Sequence, residues 1–288
     1  MIRSMTGYAR AEAQGPWGRV SWELRAVNHR YLELQFRMPE EFRALETELR
    51  NRATARIGRG KVEATLRYGP PGEAEATLDI DNARLDAVLG ALTKLMQRLP
   101  GVPPIDPLRL LGYPGVTRQP IVDMAPALAA AQQLFDGVLA EFTAMREREG
   151  ERMSAHIEER AQLLETLSAE VLERAPQVRG AWLERLQTRM RELAVDIEPA
   201  RLAQEAALSA QRLDVDEELS RLASHIVEVR QSLQRNEAVG RRLDFLMQEL
   251  NREANTLSSK SQDADTTRCA VEMKVAIEQM REQVQNIE

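Results

Sequence analysis

Residues 19–27, RVSWELRAV, alternate between apolar and polar side chains. An extended strand with this pattern collects on one face the residues Val20, Trp22, Leu24 and Ala26. Gly-Pro-Trp-Gly at residues 15–18 comes just before the stretch and is typical of a hairpin turn, so we expect strands between residues 4 and 37. The pattern therefore predicts an antiparallel sheet with one buried face near the amino end of the chain.

The rest of the first hundred residues mixes helix and strand patterns. After Pro39, apolar side chains recur at helical spacing at Phe42, Leu45, Leu49 and Ala53. Glutamates in the first turn and arginine in the last suit the dipole of a helix. Residues 58–68 and 74–80 indicate two further strands and residues 82–99 a helix. A segment at residues 100–120 then holds six of the thirteen prolines, which indicates a linker or crossover.

The remaining sequence is helical in pattern to its end. A long helix is predicted from about residue 125 to 174, interrupted at Gly150 and its polar neighbours EREGERMS. Near residue 288 a heptad seam consists of Ala270, Met273, Ile277, Met280, Val284 and Ile287. Such a seam packs against another helix, in the same chain or in another subunit. The predicted fold class is α+β: a small amino-terminal domain with an antiparallel sheet, residues 1–120, and a mostly α domain of long helices, residues 121–288.

Charge is distributed unevenly along the chain. The net charge is −6, yet residues 1–70 contain 13 Lys and Arg against 8 Asp and Glu, a net of +5, so residues 71–288 carry −11. Twelve of these thirteen cations are arginine, whose guanidinium suits bidentate phosphate contacts. The pattern favours an anionic partner for the amino-terminal domain. The alternative that these charges only solvate sheet edges stays open.

Composition also indicates where the protein works. No stretch approaches the roughly 20 apolar residues that span a bilayer, and the first residues lack the apolar region of a secretory signal. The single cysteine, Cys269, excludes an intramolecular disulfide and a metal site built from several cysteines. We therefore expect a cytoplasmic location.

Two helices in the carboxy-terminal part carry a polar face beside an apolar stripe. In the helix from about residue 214 to 233, one face holds Glu218, Arg221, His225, Glu228 and Ser232. A histidine and a glutamate three residues apart on a helix can ligate one divalent cation. A packed histidine or a surface ion pair would have the same spacing, so the face by itself leaves these readings open.

The second such helix is GRRLDFLMQELNREANTLSSKS, residues 240–261. Glu249 and Glu253 are four residues apart on it, with Arg242 and Arg252 nearby. Two acids at this spacing can hold a metal ion, but Glu and Arg pairs on helices are also ordinary salt bridges. The helix runs into a stretch of hydroxyls and Lys260 that can receive a phosphate or cap helix ends. Motifs for P-loop nucleotide hydrolysis, zinc proteolysis and serine hydrolysis are absent from the sequence.

Several of these stretches together resemble the YicC/YloC family of bacterial proteins over essentially the full length. The resemblance is carried by SMTGYARAE, SWELRAVNHRYLELQFRMP, LETELR, RGKVEATL, EELSRLASHIVEV, GRRLDFLMQELNREANTLSSKS and REQVQNIE. Tyr8 and Tyr31 stand where phenylalanine is common in that family. The resemblance implies an endoribonuclease that depends on a divalent cation, Mn²⁺ or Mg²⁺, that assembles as a homohexamer and that acts on RNA in the cytoplasm.

The positions matched to these motifs supply the candidate site residues. For catalysis they are His225, Glu228, Glu249 and Glu253, and for the cation the same four with Glu218. For RNA contacts they are Arg25, Asn28, His29, Arg30, Arg59, Lys61, Arg241, Arg242, Arg252, Asn255 and Lys260. Two other hypotheses stay open: an RNA-binding scaffold without its own chemistry that presents RNA to another nuclease, and helices that serve oligomerisation alone.

Overall fold

The computed structural model describes residues 2–71, 79–99, 101, 103, 106–118, 123–192, 204, 214–235 and 237–288. The strands are β1 (Gly7–Gly15), β2 (Gly18–Val27), β3 (Leu32–Arg37), β4 (Gly60–Gly69), β5 (Asp79–Ile80) and β6 (Thr117–Arg118). The helices are α1 (Glu46–Thr54), α2 (Asn82–Arg98), α3 (Pro107–Leu111), α4 (Ala125–Glu192), α5 (Asp216–Leu233), α6 (Gly240–Lys260) and α7 (Ala264–Val284). A small sheet region followed by long helices confirms the predicted α+β class. Of the strand predicted at residues 74–80, only β5 lies within the described residues.

Four strands form one sheet in the order β1-β2-β4-β3. The predicted hairpin is confirmed, because β1 and β2 are antiparallel and pair Gly15 with Gly18. β4 is antiparallel to β2 but parallel to β3, so the sheet is mixed rather than antiparallel throughout. β3 and β4 are parallel because of the connection between them. The 3₁₀ turn at Glu40–Leu45 and then α1 carry the chain back to the end of the sheet where β3 begins, so β4 runs in the same direction as β3.

One face of this sheet is buried and the other is open. The predicted inward residues Val20, Trp22, Leu24 and Ala26 are all buried, against the first half of α4. The indole Nε1 of Trp22 donates a hydrogen bond of 2.9 Å to the carbonyl oxygen of Ala131 on that helix. On the open face, Tyr8 pairs with Arg25 across β1 and β2, and both are exposed.

Helix α4 is continuous over 68 residues and contributes to two cores. Its residues up to Phe142 pack on the sheet, and those from Met153 onward pack among the carboxy-terminal helices. The predicted interruption at Gly150 is therefore wrong. The glycine has a different cause: a Cβ at this position would lie 2.2 Å from the carbonyl oxygen of Ile2, so only glycine allows the two backbones to approach.

The carboxy-terminal helices form a bundle with the second half of α4. Helix α6 lies between α5 and α7, and α4 contacts α5 and α7. All six residues of the predicted heptad seam are buried, mainly on α7, and they join one core with α4 and α6 of the same chain. The seam's partner is thus intramolecular. The predicted division at residues 120 and 121 stays a prediction, since α4 belongs to both cores.

Two features of the composition, the single cysteine and the lack of a long apolar stretch, can be located in these helices. Cys269 is buried in the bundle core, where burial raises the pKa of its thiol. In the part of the chain that the structure describes, no helix combines the length and apolarity required to cross a membrane.

We predict that Gly150→Ala destabilises the protein although alanine favours a helix over glycine by about 1 kcal/mol. The added Cβ would overlap the backbone of Ile2. Thermal and urea unfolding measure the effect. Gly137→Ala is the matched control in the same helix, because a Cβ there meets no atom within 4 Å, and it should raise stability. Equal stabilisation by both substitutions would show that residue 2 does not press on α4.

Candidate functional site

Helices α5 and α6 face each other through three ion pairs, which we call the charge ladder. Glu218 pairs with Lys260 at 2.8 Å, Arg221 with Glu253 at 3.5 Å, and Glu228 with Arg242 at 3.3 Å. As the residue numbers rise along α5, the numbers of their partners on α6 fall, so the two helices are antiparallel. Acid and base alternate along each helix, and each charge therefore meets an opposite one.

The ladder is most buried at its first two rungs. Glu218 and Glu253 are 6% and 4% exposed. Because burying an unpaired charge is costly, each of these carboxylates needs a partner of opposite charge. Lys260 also donates to the backbone carbonyl oxygen of Asp214, 2.8 Å away, which fixes the ammonium group beside Glu218. The second carboxylate oxygen of Glu218, Oε2, is buried and has no hydrogen-bond partner among the described residues.

His225 and Glu249 lie between the second and third rungs. The ring atom Nδ1 of His225 is buried and has no hydrogen-bond partner in the described part of the chain. Glu249 is half-buried, and its carboxylate is 3.9 Å from a guanidinium nitrogen of Arg252 on its own helix. The imidazole thus has unused hydrogen-bonding capacity between the second rung, which contains Arg221, and the third rung, which contains Arg242.

The structure brings the five predicted cation ligands to one interface but not to one point. Glu218 and Glu228 are ten residues apart on α5, which corresponds to roughly 15 Å along the helix axis. Among residues 2–71, 79–118 and 123–288, as far as they are described, no group of three His, Cys, Asp or Glu side chains is close enough to hold a metal ion. The described residues of one chain therefore do not form the predicted metal centre, and the ligand assignment stays a prediction.

The predicted RNA contacts on α6 divide into two sets. Arg242 and Lys260 face α5 and are held in the charge ladder. Arg241, Arg252 and Asn255 are exposed on the side of the helix away from the core. The side chain of Arg252 is 72% exposed, and its one ion pair, to Glu249, is long. Only the second set is free to meet a large ligand without first breaking a contact of the fold.

The amino-terminal candidates lie at the sheet and at the loop after β2. Arg25 and Lys61 project from the open face of the sheet, where Lys61 is 4.0 Å from Glu33. His29 and Arg30 lie in the loop, and the guanidinium of Arg30 stacks 5.3 Å from the ring centre of Tyr31. These residues form an exposed surface that is rich in cations and contains an aromatic ring.

Two loop contacts join this amino-terminal surface to the bundle. Asn28 donates from Nδ2 to the carbonyl oxygen of Gln285 at 2.6 Å. Arg59 donates from Nε to the carbonyl oxygen of His29 at 3.1 Å, and its guanidinium lies 3.8 Å from the Cβ position of Gly240, the first residue of α6. Candidates that are about 200 residues apart in sequence, such as Arg59 and Arg241, therefore belong to adjoining surfaces.

A buried ion pair fixes the junction between sheet and bundle. Arg146 on α4 is 1% exposed, pairs with the carboxylate of Glu288 and donates from Nε to the carbonyl oxygen of Ser4 at 2.5 Å. Glu288 also accepts from the backbone N–H of Gly58 at 2.8 Å. Burial lowers the pKa of Arg146, and the attraction of Glu288 opposes that effect.

Sequence reasoning missed this pair. Arg146 lies just before the polar stretch EREGERMS and was not singled out, and Glu288 entered only as part of a family motif. One signal was present: Arg146 occupies the next position in the buried series Phe135, Leu139 and Phe142, spaced four, three and four residues apart. A charged residue in an apolar stripe indicates a buried partner.

Comparison with known proteins agrees with the two-part architecture. A family model described as "Endoribonuclease YicC-like, N-terminal region" matches residues 2–155, and one described as "Endoribonuclease YicC-like, C-terminal" matches residues 171–288. A Haemophilus influenzae protein named "Probable endoribonuclease YicC" is 43% identical over 288 residues, and a Clostridioides difficile protein of the same name is 30% identical over 293. Each alignment covers 100% of both chains. The chain belongs to the YicC-like family.

We predict that Lys260→Met lowers the free energy of unfolding by about 3 kcal/mol, because it leaves the buried carboxylate of Glu218 without its counter-charge. Urea unfolding at neutral pH measures this value. The double variant Lys260→Met with Glu218→Leu removes both charges and should recover most of the loss. Lys274→Met, on the exposed side of α7, is the control and should change little. Wild-type stability of Lys260→Met would mean that something other than lysine neutralises Glu218.

Proposed function

We propose that this protein is an endoribonuclease that binds RNA across the junction and along α5 and α6. The observation that carries the proposal is the full-length match to two relatives whose names describe probable endoribonucleases. The location in this proposal is supported by basic side chains from both halves of the sequence, which lie on adjoining surfaces.

The residues that we assign to catalysis are His225 and Glu249. An imidazole nitrogen can accept a proton from the attacking oxygen or donate one to the leaving oxygen, and in His225 this role falls to Nε2, because Nδ1 is buried. Glu249 lies at the same level of the helix pair and can orient the imidazole. Neighbouring arginines such as Arg242 can offset the charge that develops on the scissile phosphate. Glu228 and Glu253, the other two candidates, act in this proposal by holding Arg242 and Arg221 in place.

Dependence on Mn²⁺ or Mg²⁺ and assembly as a homohexamer are also part of the proposal. Both follow from the family resemblance. Since the described residues of one chain do not gather three ligands, we assign no reaction step to a cation. Cleavage assays with and without a chelator test the cation, and light scattering on the purified protein tests the hexamer. Ends of the product identify the nucleophile: water leaves a 5′-phosphate, whereas the RNA's own 2′-OH leaves a 2′,3′-cyclic phosphate.

A second candidate function is an RNA-binding scaffold that presents RNA to another nuclease. The charge ladder favours it, because most of the candidate carboxylates have a basic partner in one chain and act as structural ion pairs. The basic surfaces are used in the same way in both proposals. The endoribonuclease and the scaffold differ in one respect: only the endoribonuclease cuts RNA, as purified protein, at a rate that depends on its own residues.

We predict that His225→Ala combined with Glu249→Gln reduces the RNA cleavage rate by at least about 100-fold, the usual contribution of acid–base groups. A labelled RNA incubated with purified protein and Mn²⁺ gives the rate. The control is His156→Ala, which changes a partly exposed histidine on a different helix, α4; this variant should cleave RNA at the wild-type rate.

Light scattering must show the same assembly for every variant. Cleavage by the double variant at the wild-type rate, in the same assembly, would contradict the assignment of these two residues. Activity that separates from the protein on purification would favour the scaffold.

A further inference from the structure

Helix α6 carries a third face, distinct from its core face and from the charge ladder. At 100° per residue, five of the side chains between Arg241 and Asn255 lie within about 40° of one line along the helix. We call this the outer stripe, and it consists of Arg241, Phe245, Gln248, Arg252 and Asn255, all exposed. The stripe is on the opposite side of the helix from Leu243 and Leu250, which are buried in the bundle.

Phe245 is the exception among the large apolar residues of α6. Its side chain is 57% exposed, while Leu243, Leu246, Met247 and Leu250 are each at most 1% exposed. The bundle therefore closes without this ring. A phenylalanine that leaves more than half of its surface exposed gains little stability there, so its position points to a ligand.

The neighbours of Phe245 determine which ligand fits. Arg241 has no ion pair or side-chain hydrogen bond to any residue that the structure describes, and Arg252 has one long pair. The stripe itself contains no acid, in a chain whose net charge is −6. An aromatic ring with a cation on each side along the helix is a combination with which proteins bind single-stranded nucleic acid: bases stack on the ring and phosphates meet the cations.

A second copy of the chain fits this stripe less well. Symmetric contact of the stripe with itself would bring the arginines of both copies together, and burying them without acids is unfavourable. Double-stranded RNA also fits poorly, because its bases are stacked inside the duplex and present no free face to a ring.

We propose that Phe245 is a base-stacking residue and that the outer stripe binds an unpaired stretch of the RNA substrate. Arg241 and Arg252 contact phosphates on either side of the stacked base, and Gln248 and Asn255 are placed to contact base edges. This inference rests on the proposed function, since it names the form of RNA that the same protein takes.

Fluorescence anisotropy with a labelled single-stranded oligouridine and with a duplex of equal length tests the inference. Phe245→Ala should weaken single-strand binding roughly 5- to 100-fold, the range for loss of one stacked base, and leave duplex binding unchanged. Phe245→Trp should retain binding. Val275→Ala, which removes an equally exposed apolar side chain from α7, is the matched control and should bind as the wild type does. Gels run on the same samples show that the RNA is intact.

A second readout reports stacking directly. An oligonucleotide with one 2-aminopurine should lose fluorescence on binding to the wild type and to Phe245→Trp, and keep more of it on binding to Phe245→Ala. Wild-type affinity in Phe245→Ala would overturn the inference. Equal loss of affinity in the alanine and tryptophan variants would overturn it too, because stacking would then not be the cause.

Other outcomes separate this inference from the proposed function. If Phe245→Ala changes the mass of the assembly by light scattering but not the RNA affinity, the stripe is a contact between copies and the inference fails. If the wild type binds neither RNA, the proposed function itself fails. A wild type that binds and cleaves single-stranded RNA, beside a Phe245→Ala variant that does so equally well, leaves the proposed function standing and removes only the stacking role.

Discussion

The buried ion pair between Arg146 and Glu288 is the constraint on which the relation between the two halves depends. Arg146 lies about one third of the way along α4, where the helix passes from the sheet to the bundle. Its guanidinium holds the carbonyl of Ser4 and the carboxylate of Glu288 together. Removal of one buried charge would strand the other, so the pair acts as a unit. Because the loop after β2 and the start of α6 are anchored beside it, the same pair sets the distance between the basic surfaces of the two halves.

Much of the fold followed from local patterns, for particular reasons. Alternation in RVSWELRAV identified a buried strand face, and spacing identified the apolar stripes of α5, α6 and α7, because period alone determines which side chains share a face. The predicted interruption of the helix at Gly150 was wrong, because this glycine is required by the close approach of the backbone of Ile2, which is far away in sequence. The parallel pairing of β3 with β4 was missed for a related reason, since pairing partners are not visible in either strand alone.

The helix faces that carry the candidate residues were predictable from the sequence, but the pairing of charges between those faces was not. Sequence placed Glu218, His225 and Glu228 on one helix face, and in the structure Glu218 and Glu228 pair with residues of α6. It could not show that Lys260 and Arg242 would neutralise two of these acids, since that depends on the antiparallel register. Helix α6 shows what the sequence alone could not separate. Its polar residues divide into those of the charge ladder, which pair with α5, and those of the outer stripe, where Arg241 has no ion pair with any described residue and Phe245 is exposed.

The bridge between Ser4 and Ile287 gives the junction a further consequence, which concerns folding. Contacts between residues so distant in sequence close a very long loop, and they tend to form late. During synthesis the sheet and the first half of α4 emerge long before residues 285–288, so the amino-terminal part must wait with its junction open. The two halves can be fixed in position relative to each other only after residues 285–288 have left the ribosome. The basic surfaces of the two halves then come together in the same step that completes folding.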